Sequence, residues 1–168
     1  KDTNLKLNIM KKIYSFLLLI LCTSISIAQT FNDFNNGAAD GGLWSSAGNW
    51  TIGVPQATHT VRTANGATSF VDANFTIARL QNQSASAGDR IVNSSNGGVL
   101  TIDPNTATLG SAIAIQNVSS SAVKLGLRGK INIQNSAGAN AFSRITNGNN
   151  ADNSTEFEGT SVLTLTTP

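Results

Sequence analysis

From residue 75 onward the chain is a succession of short runs in which apolar and polar side chains alternate. "FTIARL" at 75–80, "GVLTID" at 98–103, "AIAIQN" at 112–117, "KINIQN" at 130–135 and "SVLTLTT" at 161–167 all follow this pattern. A period of two is that of a strand with one face buried, and stretches of Asn, Ser and Gly separate the runs. No window sustains a 3.6-residue apolar stripe, because Gly, Ser, Thr and Asn interrupt each one. The reading is all-β.

Spacing adds an architecture. Leu80, Leu100, Ile115 and Ile133 follow one another at intervals of 20, 15 and 18 residues. A loose recurrence near that length predicts stacked coils, each covering the open face of the last. Ile113-Ala114-Ile115-Gln116-Asn117 is nearly repeated as Ile131-Asn132-Ile133-Gln134-Asn135. In register, the four isoleucines would stack inside, and Asn117 would sit on Asn135 in an amide ladder at a corner. The expected fold is a right-handed parallel β-helix, with a β-sandwich as the alternative. A hairpin at Asn65-Gly66, Asn96-Gly97 or Asn147-Gly148 would favour the sandwich.

The start of the chain changes the picture of charge and location. After Met10, Lys11 and Lys12 precede the apolar run Ile13 to Cys22, and Ser26-Ile27-Ala28 places small residues at −3 and −1. This is the layout of a secretory signal peptide, cleaved before Gln29. Thr23, Ser24 and Ser26 end the run before the roughly 18 apolar residues that a membrane span needs. Leu21 is too bulky for lipid attachment at Cys22, and residues 1–9 read as translated upstream sequence. The divisions expected are 1–9 upstream residues, 10–28 signal peptide, 29–60 polar lead-in and N-terminal cap, and 61–168 solenoid coils. The last run, ending at Pro168 with no closing cap after it, is expected to be truncated.

Without residues 1–28 the chain has seven basic and eight acidic side chains and no cysteine. The formal charge of +2 thus resides in the leader, and the mature part has no basic patch for nucleic acid. It has no membrane span either. Export without disulfides leaves backbone pairing and apolar burial to hold the fold.

Both tryptophans lie in one tract, "GLWSSAGNWTIGVP" at 42–55. Trp44, Ser45, Asn49-Trp50 and Gly53-Val54-Pro55, followed by alternating strands, resemble the W-S-x-x-x-N-W-x-x-G-x-P opening of secreted autotransporter-like adhesins. The tract is similar, more loosely, to the G8 domain. The resemblance covers residues 43 to about 103 by motif, and it implies a parallel β-helix displayed or released at the cell surface. A first coil has an end that no neighbour covers, and two indoles would supply the apolar area to close it. Trp44 and Trp50 could alternatively form a sugar-stacking platform.

Candidate chemistry is sparse. His59 is the only histidine, so neither a histidine metal site nor a Ser-His-Asp triad can be assembled. In "ATHTV" it is expected to point outward at a strand start. Lys124, Arg128 and Lys130 in "KLGLRGK" share parity, so on a continuous strand they face outward together. In β-helix polysaccharide lyases, which the pattern resembles, such residues bind uronate. Asp152, Glu156 and Glu158, one coil later, would instead pair with them across the ladder. Trp44, Trp50, Lys124, Arg128 and Lys130 are the candidate glycan contacts, with no catalytic residue, metal or cofactor expected. The functional expectation is an adhesin-like surface protein that meets glycans or other surface proteins. The alternatives are the N-terminal part of a carbohydrate-active β-helix enzyme and a carbohydrate-binding sandwich module.

Overall fold

The computed structural model describes Lys12 and residues 30–63, 68–83, 90–104, 113–136, 143–148 and 150–166. The remainder of the expected leader, Asn65-Gly66, Ala112 and Thr167 lie outside the described residues. The chain is all-β. Its strands are β1 (Thr30–Phe34), β2 (His59–Thr63), β3 (Thr68–Phe70), β4 (Phe75–Ile77), β5 (Arg79–Asn82), β6 (Arg90–Ile102), β7 (Ile113–Asn117), β8 (Lys124–Gln134), β9 (Arg144–Asn147) and β10 (Ser154–Thr166).

They form two sheets, ordered β1-β2-β5-β7-β9 and β10-β8-β6-β3, with β4 also paired to β6. Every pairing between these strands is parallel. From β5 onward the chain changes sheet at each strand. Asn96-Gly97 lies inside β6, and Asn147 ends β9, which pairs with β7 and not with β10. Neither dipeptide makes a hairpin.

Alternation along β6 and the second half of β8 sorts the core as expected. Val61, Leu80 and Ile115 point in from the first sheet, and Val92, Leu100, Ile102, Leu125, Leu127, Ile131 and Ile133 from the second. Ile113 is only half-buried, and Ala114 is fully enclosed.

The register corrects the expected stacking. Leu80 lies beside Ile115, and Leu100 beside Ile131. The interval near 20 residues therefore measures the step from one sheet to the other, while residues that touch in the ladders from β5 onward are 30 to 35 apart. "IAIQN" and "INIQN" accordingly lie in different sheets, and Asn117 does not sit on Asn135. Its neighbours are Asn82 and Asn147.

Asn117 accepts from Asn82 Nδ2 at 2.9 Å and donates to the carbonyls of Val123 at 2.9 Å and Ser154 at 2.7 Å. The asparagine ladder exists, one sheet away from where the near-repeat places it, and it joins β7 to the turn that leads into β8. Asn117→Ala should cost about 2–4 kcal/mol in urea unfolding, because it strands buried partners. A cost below about 0.5 kcal/mol would show the ladder to be energetically idle.

Three other expectations change. The lead-in contains β1, whose Asn32 and Phe34 are buried. "FTIARL" is not one strand but β4 and β5, in different sheets, with buried Ala78 at the corner. "GVLTID", "KINIQN" and "SVLTLTT" supply only the second halves of the long, bent strands β6, β8 and β10. At the far end, edge strands β9 and β10 leave Ile145, Phe157, Val162, Leu163 and Leu165 exposed.

Candidate functional site

The tryptophan tract forms a loop between β1 and β2 that covers one end of both sheets. Residues 42–44 pair with β3: the Trp44 N–H donates to the Phe70 carbonyl, and the Phe70 N–H to that of Gly42, both at 2.9 Å. Residues 49–51 pair antiparallel with β1, through Asn35 N–H to the Asn49 carbonyl at 2.9 Å and Thr51 N–H to the Asp33 carbonyl at 3.1 Å. Edge groups that would otherwise face solvent are thereby paired.

Between these two attachments the indoles fill the end of the core. Trp44 is 0% and Trp50 4% exposed. Their rings meet edge to face at 5.1 Å, and Phe34 and Phe75 pack against them at 5.2 and 5.6 Å. Trp50 Nε1 donates to the Trp44 carbonyl at 3.0 Å. A sugar needs an open ring face, and neither indole offers one. Trp44 and Trp50 are packing residues here.

Asn49 and Asp40 shape the loop. Asn49 accepts from Ala38 N–H and donates to the Asp40 carboxylate and the Leu43 carbonyl. Asp40 also accepts from the N–H groups of Gly42 and Leu43. The Asn49 amide and these N–H groups lower its pKa to about 2. Asp72 anchors the next turn by accepting from the N–H and hydroxyl of Ser45 at 3.0 and 2.5 Å.

The basic residues separate into two environments. Lys124 and Arg128 lie on the first half of β8 and converge on Glu158 of β10, at 2.8 and 2.7 Å. Register sets Glu158 beside Arg128, and Gly126 provides the room for it to lean across towards Lys124. A Cβ on Gly126 would stand 2.9 Å from the Glu158 carboxylate. The two cations hold the Glu158 pKa below the ordinary carboxylate range, Lys124 most strongly.

Lys130 is not part of that bridge. Gly129, with φ of +82°, bends β8 between Arg128 and Lys130, and Lys130 is exposed beyond the bend. Parity holds along β8, since Leu125, Leu127, Ile131 and Ile133 are buried while Lys124, Arg128 and Lys130 are not. Pairing, not an open cationic surface, is the state of Lys124 and Arg128.

The Glu158 bridge stabilises from above the ordinary carboxylate pKa and is lost as pH falls through the lowered value. Glu158→Gln should cost under about 1 kcal/mol at 0.1 M salt, because all three side chains are partly solvated. The cost should shrink further in 1 M salt. A penalty in urea unfolding that is large and salt-independent would contradict this.

His59 starts β2 as expected, but its ring is buried, at 7% exposure. Burial lowers its pKa below the ordinary histidine value. The Asn32 side chain of β1, 27 residues away, and the Gln56 N–H both reach the ring, and the first of these no local pattern around "ATHTV" could have announced.

Among the described residues no three His, Cys, Asp or Glu side chains come together as a metal site would require. No described helix is long and apolar enough to cross a membrane. A shallow depression lined by Gln134, Asn135, Ser136 and Thr166 carries no titratable side chain. Asp103 is bound to its rim through Gln134 and Ser136. No known protein family, characterised protein or solved structure matches this chain.

Proposed function

We propose that the chain is a β-solenoid that works outside the cell or on its surface as an adhesin-like structural and binding element. The observation that carries this reading is the uniformly parallel pairing of strands that alternate between two sheets. A chain that returns to the same sheet after each crossing, always in the same direction, winds as coils. Parallel crossovers of this kind are right-handed in the great majority of cases, so the coils are read as a right-handed β-helix closed at one end by the tryptophan loop.

Three further features support the role. The leader-like segment with Lys11, Lys12 and Ser26-Ile27-Ala28 directs export. The tract around Trp44 and Trp50 resembles the opening of autotransporter-like adhesins. The charges of Lys124 and Arg128 are engaged by Glu158, which favours a structural sheet face over one that abstracts a proton from a uronate. Partners of this chemistry would be surface glycans or other surface proteins, met along outward polar positions such as exposed Lys130.

The test is to express the chain with its own leader, follow it to the cell exterior, and incubate it with a panel of polysaccharides and with whole cells. Retention on cells or polysaccharides without new reducing ends or unsaturated uronates is the expected result. Chain cleavage would replace this reading with that of a carbohydrate-active β-helix enzyme. A chain kept in the cytoplasm would remove the surface role altogether.

A further inference from the structure

His59 sits where the tryptophan loop returns to the sheet, and its hydrogen bonds specify its protonation state. The orientation of the Asn32 side chain is set first. Its Nδ2 donates to the Gly53 carbonyl at 2.7 Å, and its Oδ1 accepts from the Ile52 N–H at 3.3 Å. That orientation turns the same Nδ2 towards His59 Nδ1, at 3.3 Å. The Gln56 N–H also points at Nδ1, at 3.2 Å, while the His59 N–H returns a bond to the Gln56 carbonyl at 2.9 Å.

Two N–H donors thus converge on one ring nitrogen. A donor pair can be met only by a lone pair, so the imidazole is neutral with its proton on Nε2. Adding a proton to Nδ1 would set three N–H groups against one another and place a charge in a buried site.

We propose that His59 is an acid-sensitive latch, holding residues 51–58 of the tryptophan loop to β1 and β2 while neutral and releasing them when protonated. Release at this point loosens the covering of the sheet end, because residues 51–58 follow directly on Trp50.

Charged groups on the surrounding elements do not substitute for His59. Asp33 of β1 and Arg62 of β2 are ion-paired with each other, and Arg79 of β5 donates to the Ile113 carbonyl at 3.0 Å. Asp40, lowered to about 2, stays ionised throughout the histidine range. So does Asp72: burial opposes ionisation there, but the hydrogen bonds from Ser45 outweigh it and lower its pKa. With the folded pKa depressed, the latch is fully engaged above the ordinary histidine value of about 6.5. It weakens as pH falls from there to the folded pKa.

The test uses the whole chain, with ring 15N spectra and amide protection followed from pH 8 to pH 4. At pH 8 the expected spectrum is that of an unprotonated Nδ1 and a protonated Nε2. The ring should titrate below 6.5, and protection of the Gln56 amide, corrected for intrinsic exchange, should fall about tenfold with it, the equivalent of one hydrogen bond. His59→Gln, which has no titrating group, should lose this transition. A proton on Nδ1 at pH 8, a midpoint at or above 6.5, or protection that ignores the titration would each overturn the latch. Because the spectra report on the unsubstituted protein, the result stands even if the variant folds poorly.

Discussion

Trp44→Ala should destabilise the fold by about 3–5 kcal/mol, the range for truncating a fully buried large aromatic side chain. The indole is completely enclosed and packs on Trp50 and Phe75. Its own Nε1 has no hydrogen-bond partner among the described residues, so the loss is of packing and apolar burial. Trp44→Phe separates the two contributions. It keeps an aromatic ring and removes the unpartnered N–H, so it should cost only about 1–2 kcal/mol. Guanidinium unfolding followed by the fluorescence of Trp50 measures both. If Trp44→Ala fell within 1 kcal/mol of the unsubstituted protein, the loop would not be closing the core.

Gly129→Ala should be nearly as damaging, for a backbone reason. At φ of +82° an L-residue is strained, and its Cβ would stand 2.4 Å from the Ser94 carbonyl carbon and 2.5 Å from the Ser95 nitrogen. Those atoms belong to the backbone of β6 and cannot swing aside. The Ser94 hydroxyl also donates to the Arg128 carbonyl at 2.8 Å and reaches that of Lys130 at 3.0 Å, fastening the two bends together.

Strain of about 1–3 kcal/mol from the dihedral and a similar amount from displacing the neighbouring strand add to about 2–6 kcal/mol. Gly159 provides the control, since it has φ of +63° but open space where its Cβ would be. Gly159→Ala should cost only about 1–2 kcal/mol. Equal melting temperatures for the two variants would show that steric contact between β6 and β8 is not what Gly129 avoids.

The alternation in "KINIQN" and "GVLTID" sufficed to place Ile131, Ile133, Leu100 and Ile102 inside, because side-chain direction in a strand is a local property with a period of two. The concentration of both indoles in one tract likewise marked a special structure before any contact was known. That Lys124 and Arg128 would meet an acidic residue of the 152–158 segment was also legible from the opposite charges, but register chose Glu158.

Tertiary structure alone decided which strands are neighbours. "IAIQN" and "INIQN" share a pattern of inward and outward positions, but that pattern does not encode the sheet. The connecting segments do, and they assign Asn117 to Asn82 rather than Asn135. The positive φ at Gly129 likewise goes with the approach of Ser94 from 35 residues away, which leaves no room for a side chain. The setting of His59 also depends on Asn32, 27 residues earlier, whose side chain reaches its ring. Periodicity is written into each short segment, whereas register depends on segments distant in sequence whose combined geometry no single stretch contains.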